Sequence, residues 1–208
     1  PGLINAHLHT WQTALRGVAA NWTLLEYFQK MHAGLATVFA PEDLHIATLV
    51  GALNQLNNGT TTLVDWCHNN RTPAHNDAAI DGLLQSGIRA AFFHGTPKPD
   101  PKPGETPFWE VPHPRAEVER LLKAHQGRSL LSIGAAVLGP HYSTLDVALH
   151  KMPTDAPKAA GSNGPKKNVA PFATATTRVV LAPGSPLRPI LPVTVIVTLI
   201  EPPDPLLT

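Results

Sequence analysis

The sequence predicts an α/β fold: a partial (β/α) barrel of the TIM type, with about four strand-helix units and a Pro-rich irregular C-terminal tail. Three observations predict it. Short β-branched or apolar runs alternate with stretches of helical periodicity over residues 1–150. Strands separated by helices pair in parallel, because the crossover helix returns the chain to the same end of the sheet. A full eight-stranded barrel needs roughly 250 residues, so four units in 150 residues make half of one. A doubly wound sheet is the alternative that the alternation alone leaves open.

The elements follow in order. Residues 1–6 are a short apolar run ending in His7-Leu8-His9, and residues 22–31 carry apolar side chains at helical spacing. Ala40-Pro41-Glu42-Asp43 starts a helix, with Pro in the first turn and acids beside the positive end of its dipole; Asn57-Asn58-Gly59 stops it. Residues 60–66 are a β-branched strand. A second helix spans 75–86 with Gly87 as its stop, and a third strand spans 88–93. A Pro-rich loop covers 97–114, a third helix 115–125, a fourth strand 130–138, and a further helix begins over 145–150. We divide the chain into a half barrel, 1–150, and a tail, 151–208. The first 150 residues hold all eleven histidines and carry a net charge of −2, whereas the last 58 hold eleven prolines and carry +3. Prolines exclude long helices from the tail, and residues 174–181 and 193–200 are its candidate strands.

Composition narrows the function classes. The 208 residues contain 16 Lys plus Arg against 15 Asp plus Glu, so there is no basic footprint for nucleic acid or an anionic membrane. No run of about 18 apolar residues predicts a spanning helix, and no secretory signal is visible. The single cysteine, Cys67, excludes a disulfide scaffold, fits a reducing, cytoplasmic setting, and reads as a small buried apolar group. The chain opens on Pro1 and reads as a fragment or processed product. Dinucleotide fingerprints, Walker A loops and G-x-S-x-G elbows are absent from the sequence.

Histidines fall where the strands end. His7 and His9 close the first strand, His68 follows the second, His94 ends the third, and His141 follows the fourth. Carboxyl ends of parallel strands converge on one mouth, so these imidazoles gather with Asp65 in one place. Imidazole and carboxylate are a ligand set for Zn and similar ions. His7 and His9, two apart on a strand, share a face and form the sharpest candidate metal pair, with Leu8 turned toward the helices. Asp65 and His141 are candidate acid/base groups; His68 and His94 are candidate substrate-binding groups. His32, His45, His75, His113, His125 and His150 are expected in solvated or capping roles. Trp11, Trp22, Tyr27 and Phe28 are expected to pack in the core or a lid.

Specific motifs then carry a resemblance. Pro1-Gly2-Leu3-Ile4-Asn5-Ala6-His7-Leu8-His9 resembles the P-G-x-x-(N/D)-x-H-x-H first strand of the amidohydrolase superfamily. Gly59-Thr60-Thr61-Thr62-Leu63-Val64-Asp65 resembles the G-x-T-T-x-x-D second strand of the same group. Trp11-Gln12-Thr13-Ala14-Leu15-Arg16-Gly17 is similar to the segment that follows the first strand in the cytosine deaminase and chlorohydrolase branch, which puts Gln12 among the candidate substrate-binding groups. The resemblance covers about residues 1–150. It implies a hydrolase of C–N (non-peptide) bonds that uses a divalent metal, Zn first and Fe second, to activate water. By the same resemblance His7 and His9 are metal ligands. The family's other ligands are histidines on the fifth and sixth strands and an aspartate on the eighth. This chain has no histidine after His150, and Asp155 and Asp204 lie in non-matching sequence.

The expectation is therefore the first half of an amidohydrolase barrel followed by foreign sequence, from a shortened or frame-shifted gene. Its exposed sheet edges would be covered by a homo-oligomer, and its partner is a small-molecule substrate. Two other readings stand beside the hydrolase. One is a truncated, non-catalytic remnant or partner-binding half barrel. The other is a lyase or cyclase in an altered pocket, with His141 or Asp65 as acid/base.

Overall fold

A computed structural model describes residues 2–138, 142–143, 173–176 and 196–199 of the chain. Strand β1 (Leu3–Leu8) leads through a 3-10 turn, Thr10–Leu15, to the short helix α1 (Leu24–Tyr27). The Thr23 hydroxyl accepts from the Glu26 amide while the Glu26 carboxylate accepts from the Thr23 amide, a reciprocal cap. The helical run predicted over 22–31 continues as one wide π turn, Phe28–His32, which ends at His32.

Helix α2 (Pro41–Asn57) starts at the predicted proline, and Asp43 accepts from the Ala40 amide at 2.8 Å. Strand β2 (Thr60–Cys67) follows Gly59, whose φ of 83° is the left-handed turn that the Asn-Asn-Gly stop requires. Helix α3 (Pro73–Ser86) ends on Gly87 at φ 74°, as the sequence predicts. Strand β3 (Arg89–His94), the Pro-rich loop, helix α4 (Arg115–Ala124) and strand β4 (Leu131–Ala136) complete the unit. The helix expected over 145–150 lies outside the described residues, as does most of the tail. Within the tail, β5 (Ala173–Thr176) and β6 (Ile196–Leu199) fall inside the two predicted strand regions or begin one residue before them.

Strands β1 to β4 pair in parallel and in sequence order, as the helical crossovers demand. The sheet order is β1-β2-β3-β4-β6-β5, with β6 antiparallel to β4. Alternation splits each strand between two faces. Leu63, Cys67, Ala90, Phe92, Leu131 and Ile133 join Leu44 and Ala52 of α2, Ala79, Ile80 and Leu83 of α3, and Leu121 of α4 in one buried core. Burying each large aliphatic side chain there stabilises the layer by about 1.5–3 kcal/mol. Trp66 and Phe93 occupy the opposite, inner face, as the alternation with Cys67 and Phe92 requires. Phe93 lies over Gly134, where an added Cβ would sit 2.4 Å from its ring. At the free edge of the sheet, Leu3 and Ile4 of β1 are exposed. The half-barrel order of strands and helices is thus the predicted one.

Candidate functional site

The carboxyl end of β1 delivers its imidazoles to the inner face. His7 and His9 flank Leu8, which packs into the helix-side core. Both rings stand edge-on to Trp66, with centroids 5.3 and 5.9 Å away. His9 Nδ1 lies 2.7 Å from the Trp66 carbonyl oxygen. A carbonyl only accepts, so Nδ1 carries the proton and Nε2 keeps its lone pair. That lone pair faces His7: the two Nε2 atoms are 3.3 Å apart. Burial holds His9 down to about 4, with smaller effects from the neighbouring His7 and Lys98, and burial lowers His7 as well. Both rings are therefore neutral at pH 7.

His68 leaves the end of β2 and stacks on His9 at 4.1 Å between centroids. Its Nδ1 accepts from the Trp11 indole at 3.0 Å, which places the ring proton on Nε2. Burial pushes His68 well below its ordinary value, so it stays neutral and presents a donor. His32 continues the row, edge-on to His68 at 4.3 Å, with 3% of its surface exposed and no partner for Nδ1. Burial lowers it to about 3, with smaller effects from Lys98 and His9. The expectation of a solvated or capping role for His32 is corrected here: the π turn that ends at this residue turns the ring inward against Tyr27, Phe28 and His68. Trp11 is a core residue as expected, and it also fixes the His68 tautomer.

A pocket adjoins this row. It is lined by His32, Ala36, Thr37, His68, Asn69, Arg71, Pro97, Lys98 and Pro99. The Pro-rich loop supplies Lys98, half-buried, whose ammonium donates to Thr96 O at 3.3 Å and is drawn down to about 8 by burial. Asn69 is 1% exposed with neither amide atom partnered. Sequence patterns did not single out Asn69, Arg71 or Lys98, because they sit in irregular loops that only the fold brings together.

The remaining candidates lie elsewhere. Asp65 keeps phase with Leu63 and Cys67 and so faces the helix side. Its Oδ1 accepts from the Thr10 amide at 3.0 Å, pinning the turn after β1. Burial raises its carboxyl to about 6, partly offset by that hydrogen bond. His94 also faces the helix side, where Nδ1 meets His113 Nε2 at 3.2 Å. Gln12 donates to the Tyr27 hydroxyl at 2.6 Å, and the Tyr27 ring stands edge-on to His32. His75 is a buried helix-start residue bonded to Thr72 and Phe39. Cys67 is buried with its thiol pushed up, so it is an inert apolar group. His141 lies outside the described residues. Among the described residues, no group of three or more His, Cys, Asp or Glu side chains is arranged around one point, so His7 and His9 form a two-donor pair.

Comparison with known proteins adds kinship to this geometry. No family model matches the chain. It is 30% identical over 95 residues to a 5-methylthioadenosine/S-adenosylhomocysteine deaminase of Thermococcus kodakarensis, covering 46% of this chain and 21% of that protein. It is 32% identical over 105 residues to the Carboxydothermus hydrogenoformans protein of the same name, covering 50% and 23%. A 5'-deoxyadenosine deaminase of Methanococcus aeolicus is 33% identical over 99 residues, covering 46% and 21%. In fold, the chain matches a mutant of the atrazine chlorohydrolase TrzN from Arthrobacter aurescens, complexed with zinc and atraton. The TM-score is 0.51 at 21% identity, over 68% of this chain and 36% of that one. A triazine hydrolase variant matches with a TM-score of 0.53 at 18% identity, over 69% and 35%. The chain thus spans under a quarter of the curated relatives and about a third of the structures. No helix among the described residues is long and apolar enough to cross a membrane. In sequence over about half its length the chain resembles deaminases of the amidohydrolase superfamily, and in fold over about two thirds of its length it resembles part of the barrel of these hydrolases.

Proposed function

We propose that this chain is a metal-dependent hydrolase of C–N bonds in small molecules, of the deaminase and amidohydrolase type. One observation carries the reading: His7 Nε2 and His9 Nε2 are 3.3 Å apart with the His9 lone pair aimed at the gap. Two nitrogens about 2.0–2.1 Å from a tetrahedral zinc ion stand about 3.3 Å apart. The spacing of the pair therefore fits two of the three or four protein ligands that zinc takes, with iron the second candidate. A divalent ion there supplies Lewis acidity that brings the pKa of a water toward neutrality.

The protein's own groups do the rest. The Trp66 carbonyl holds the His9 ring in its ligating tautomer. His68 Nε2–H, fixed by Trp11, donates to a substrate heteroatom beside the pair. Asp65 positions the turn after β1 through the Thr10 amide, and Gln12 and Tyr27 form the rim. His94 buttresses the loop that carries Lys98, by way of His113. His141, outside the described residues, remains the proposed acid/base group. With this reading go a cytoplasmic setting and a homo-oligomer that covers the exposed edge of β1.

The test is zinc content per chain, with ammonia release from 5-methylthioadenosine and 5'-deoxyadenosine, for the wild type and for His7→Ala/His9→Ala. Zinc and turnover lost together in the double variant are the expected result. Equal, near-zero zinc in both proteins would sink the reading. Zinc without turnover would exclude these two substrates and leave the metal site standing.

A further inference from the structure

The pocket beside His68 has more donors than its surroundings use. The Lys98 ammonium has three N–H groups and one carbonyl partner, Thr96 O, at 3.3 Å. Arg71 spends one of five N–H groups on Phe39 O, also at 3.3 Å. The Asn69 side chain is 1% exposed, and its amide makes no hydrogen bond. His68 adds the Nε2–H left over from its bond to Trp11. Among the described residues, neither Lys98 nor Arg71 takes part in an ion pair; the carboxylates that do, Glu26, Asp77, Glu117 and Glu119, pair with Lys30, Arg115 and Arg120.

Burying the Asn69 amide without a partner, and half-burying the Lys98 ammonium with one carbonyl for its three N–H groups, costs free energy, because hydration is given up for few bonds in return. The unused donors of Lys98, Arg71, Asn69 Nδ2 and His68 outnumber the one unused acceptor, Asn69 Oδ1, so a ligand rich in acceptors and negatively charged matches this lining. Neutral heteroaromatic rings would leave the ammonium and guanidinium unanswered. Carboxylate and phosphate oxygens take charge-assisted bonds from both.

We propose that Lys98, Arg71 and Asn69 form an oxyanion-binding subsite, which takes a carboxylate or phosphate group carried by the substrate next to the histidine row. Assigning the oxyanion to the substrate rests on the hydrolase reading; binding of the anion itself does not.

The test follows the Asn69 side-chain amide of the full chain by 15N NMR while sodium phosphate, and separately sodium acetate, replaces chloride at constant ionic strength. A saturable shift is expected in the wild type with at least one anion, and the better of the two tells phosphate from carboxylate. Lys98→Met and Arg71→Gln should each weaken that binding about tenfold, the loss of one charge-assisted contact. Arg71 is exposed, so its variant keeps the test alive if Lys98→Met does not fold. No saturable shift in the wild type, or wild-type affinity in Arg71→Gln, would overturn the proposal. His7→Ala/His9→Ala should still bind the anion. Loss of binding there would put the anion on the histidine pair and overturn the subsite, whereas equal, near-zero zinc in wild type and double variant would count against the hydrolase reading only.

Discussion

Trp11 Nε1 donates to His68 Nδ1 across 3.0 Å, and both side chains are buried. An indole nitrogen cannot accept, so this bond fixes His68 as the Nε2–H tautomer. His68 is therefore a donor to whatever enters the pocket, even though it stacks directly on His9. A Trp11→Phe variant keeps an aromatic ring against Phe39 but leaves His68 Nδ1 without a partner. The expected outcome is a mixture of tautomers in the long-range 15N spectrum of His68 and a stability loss of about 1–3 kcal/mol in urea unfolding. An unchanged tautomer would show that packing alone holds the ring.

His7 and His9 are unequal partners. His9 is half-buried, and its Nδ1 is tied to the Trp66 carbonyl at 2.7 Å; His7 is exposed, and its ring accepts no such guide. A ligand held by an outer hydrogen bond loses less freedom on binding a metal, an effect worth about 10–100-fold in affinity. His9→Ala is expected to weaken zinc binding more than His7→Ala, measured by competition with a chromogenic chelator. Equal losses would mean that the Trp66 carbonyl does not preorganise the site.

Acid should loosen the Pro-rich loop. His94 at about 3 and His113 at about 4 are both held below 6.5 by burial, and their rings meet at 3.2 Å. Thr96 faces His113, while Glu117, itself paired with Arg120, pulls weakly the other way on His94. Above pH 6.5 these histidines are neutral in folded and unfolded chains alike. As the pH falls from 6.5 toward 4, the unfolded chain takes up protons that the folded chain refuses, and stability drops by up to about 1.4 kcal/mol per pH unit for each proton. Asp65, raised to about 6, acts in the opposite sense between pH 6 and 3.8. The urea midpoint of the wild type should fall between pH 7 and pH 5. His113→Phe should fall less steeply, having one imidazole fewer, and identical slopes would refute the assignment.

Much of this arrangement was legible in the residues. The parallel order of β1 to β4 follows from the alternation of strand and helix, and Gly59, Pro41 and Gly87 marked real element ends because φ constraints act locally. The His-x-His spacing placed His7 and His9 on one face because strand periodicity is two. Periodicity also argues against the simple picture of every strand-end group meeting at the mouth. Asp65 and His94 keep phase with Leu63 and Phe92, and that phase points to the helices. His32, Asn69 and Lys98 were illegible for a different reason: a π turn and two loops place them, and no spacing rule covers such segments.

The close approach of α2 to α3 depends on Gly82. A Cβ added there would lie 2.7 Å from His45 O and 3.0 Å from Leu49 N, both backbone atoms of α2. Neither atom yields without moving the helix, whereas a flexible side chain would turn aside. Gly82 sits mid-helix at an ordinary helical φ, so alanine would by itself favour the helix by roughly 1 kcal/mol through propensity. Overpacking opposes that gain by about 1–3 kcal/mol, and the steric term wins because the contact is backbone on both sides. Gly82→Ala is therefore expected to destabilise the chain in urea unfolding. Since α2 also packs on the turn that follows His9, with Gly51 against Thr10 and Thr13, the same variant should lower zinc affinity without touching a ligand. A variant as stable as the wild type would show that the two helices slide apart at no cost.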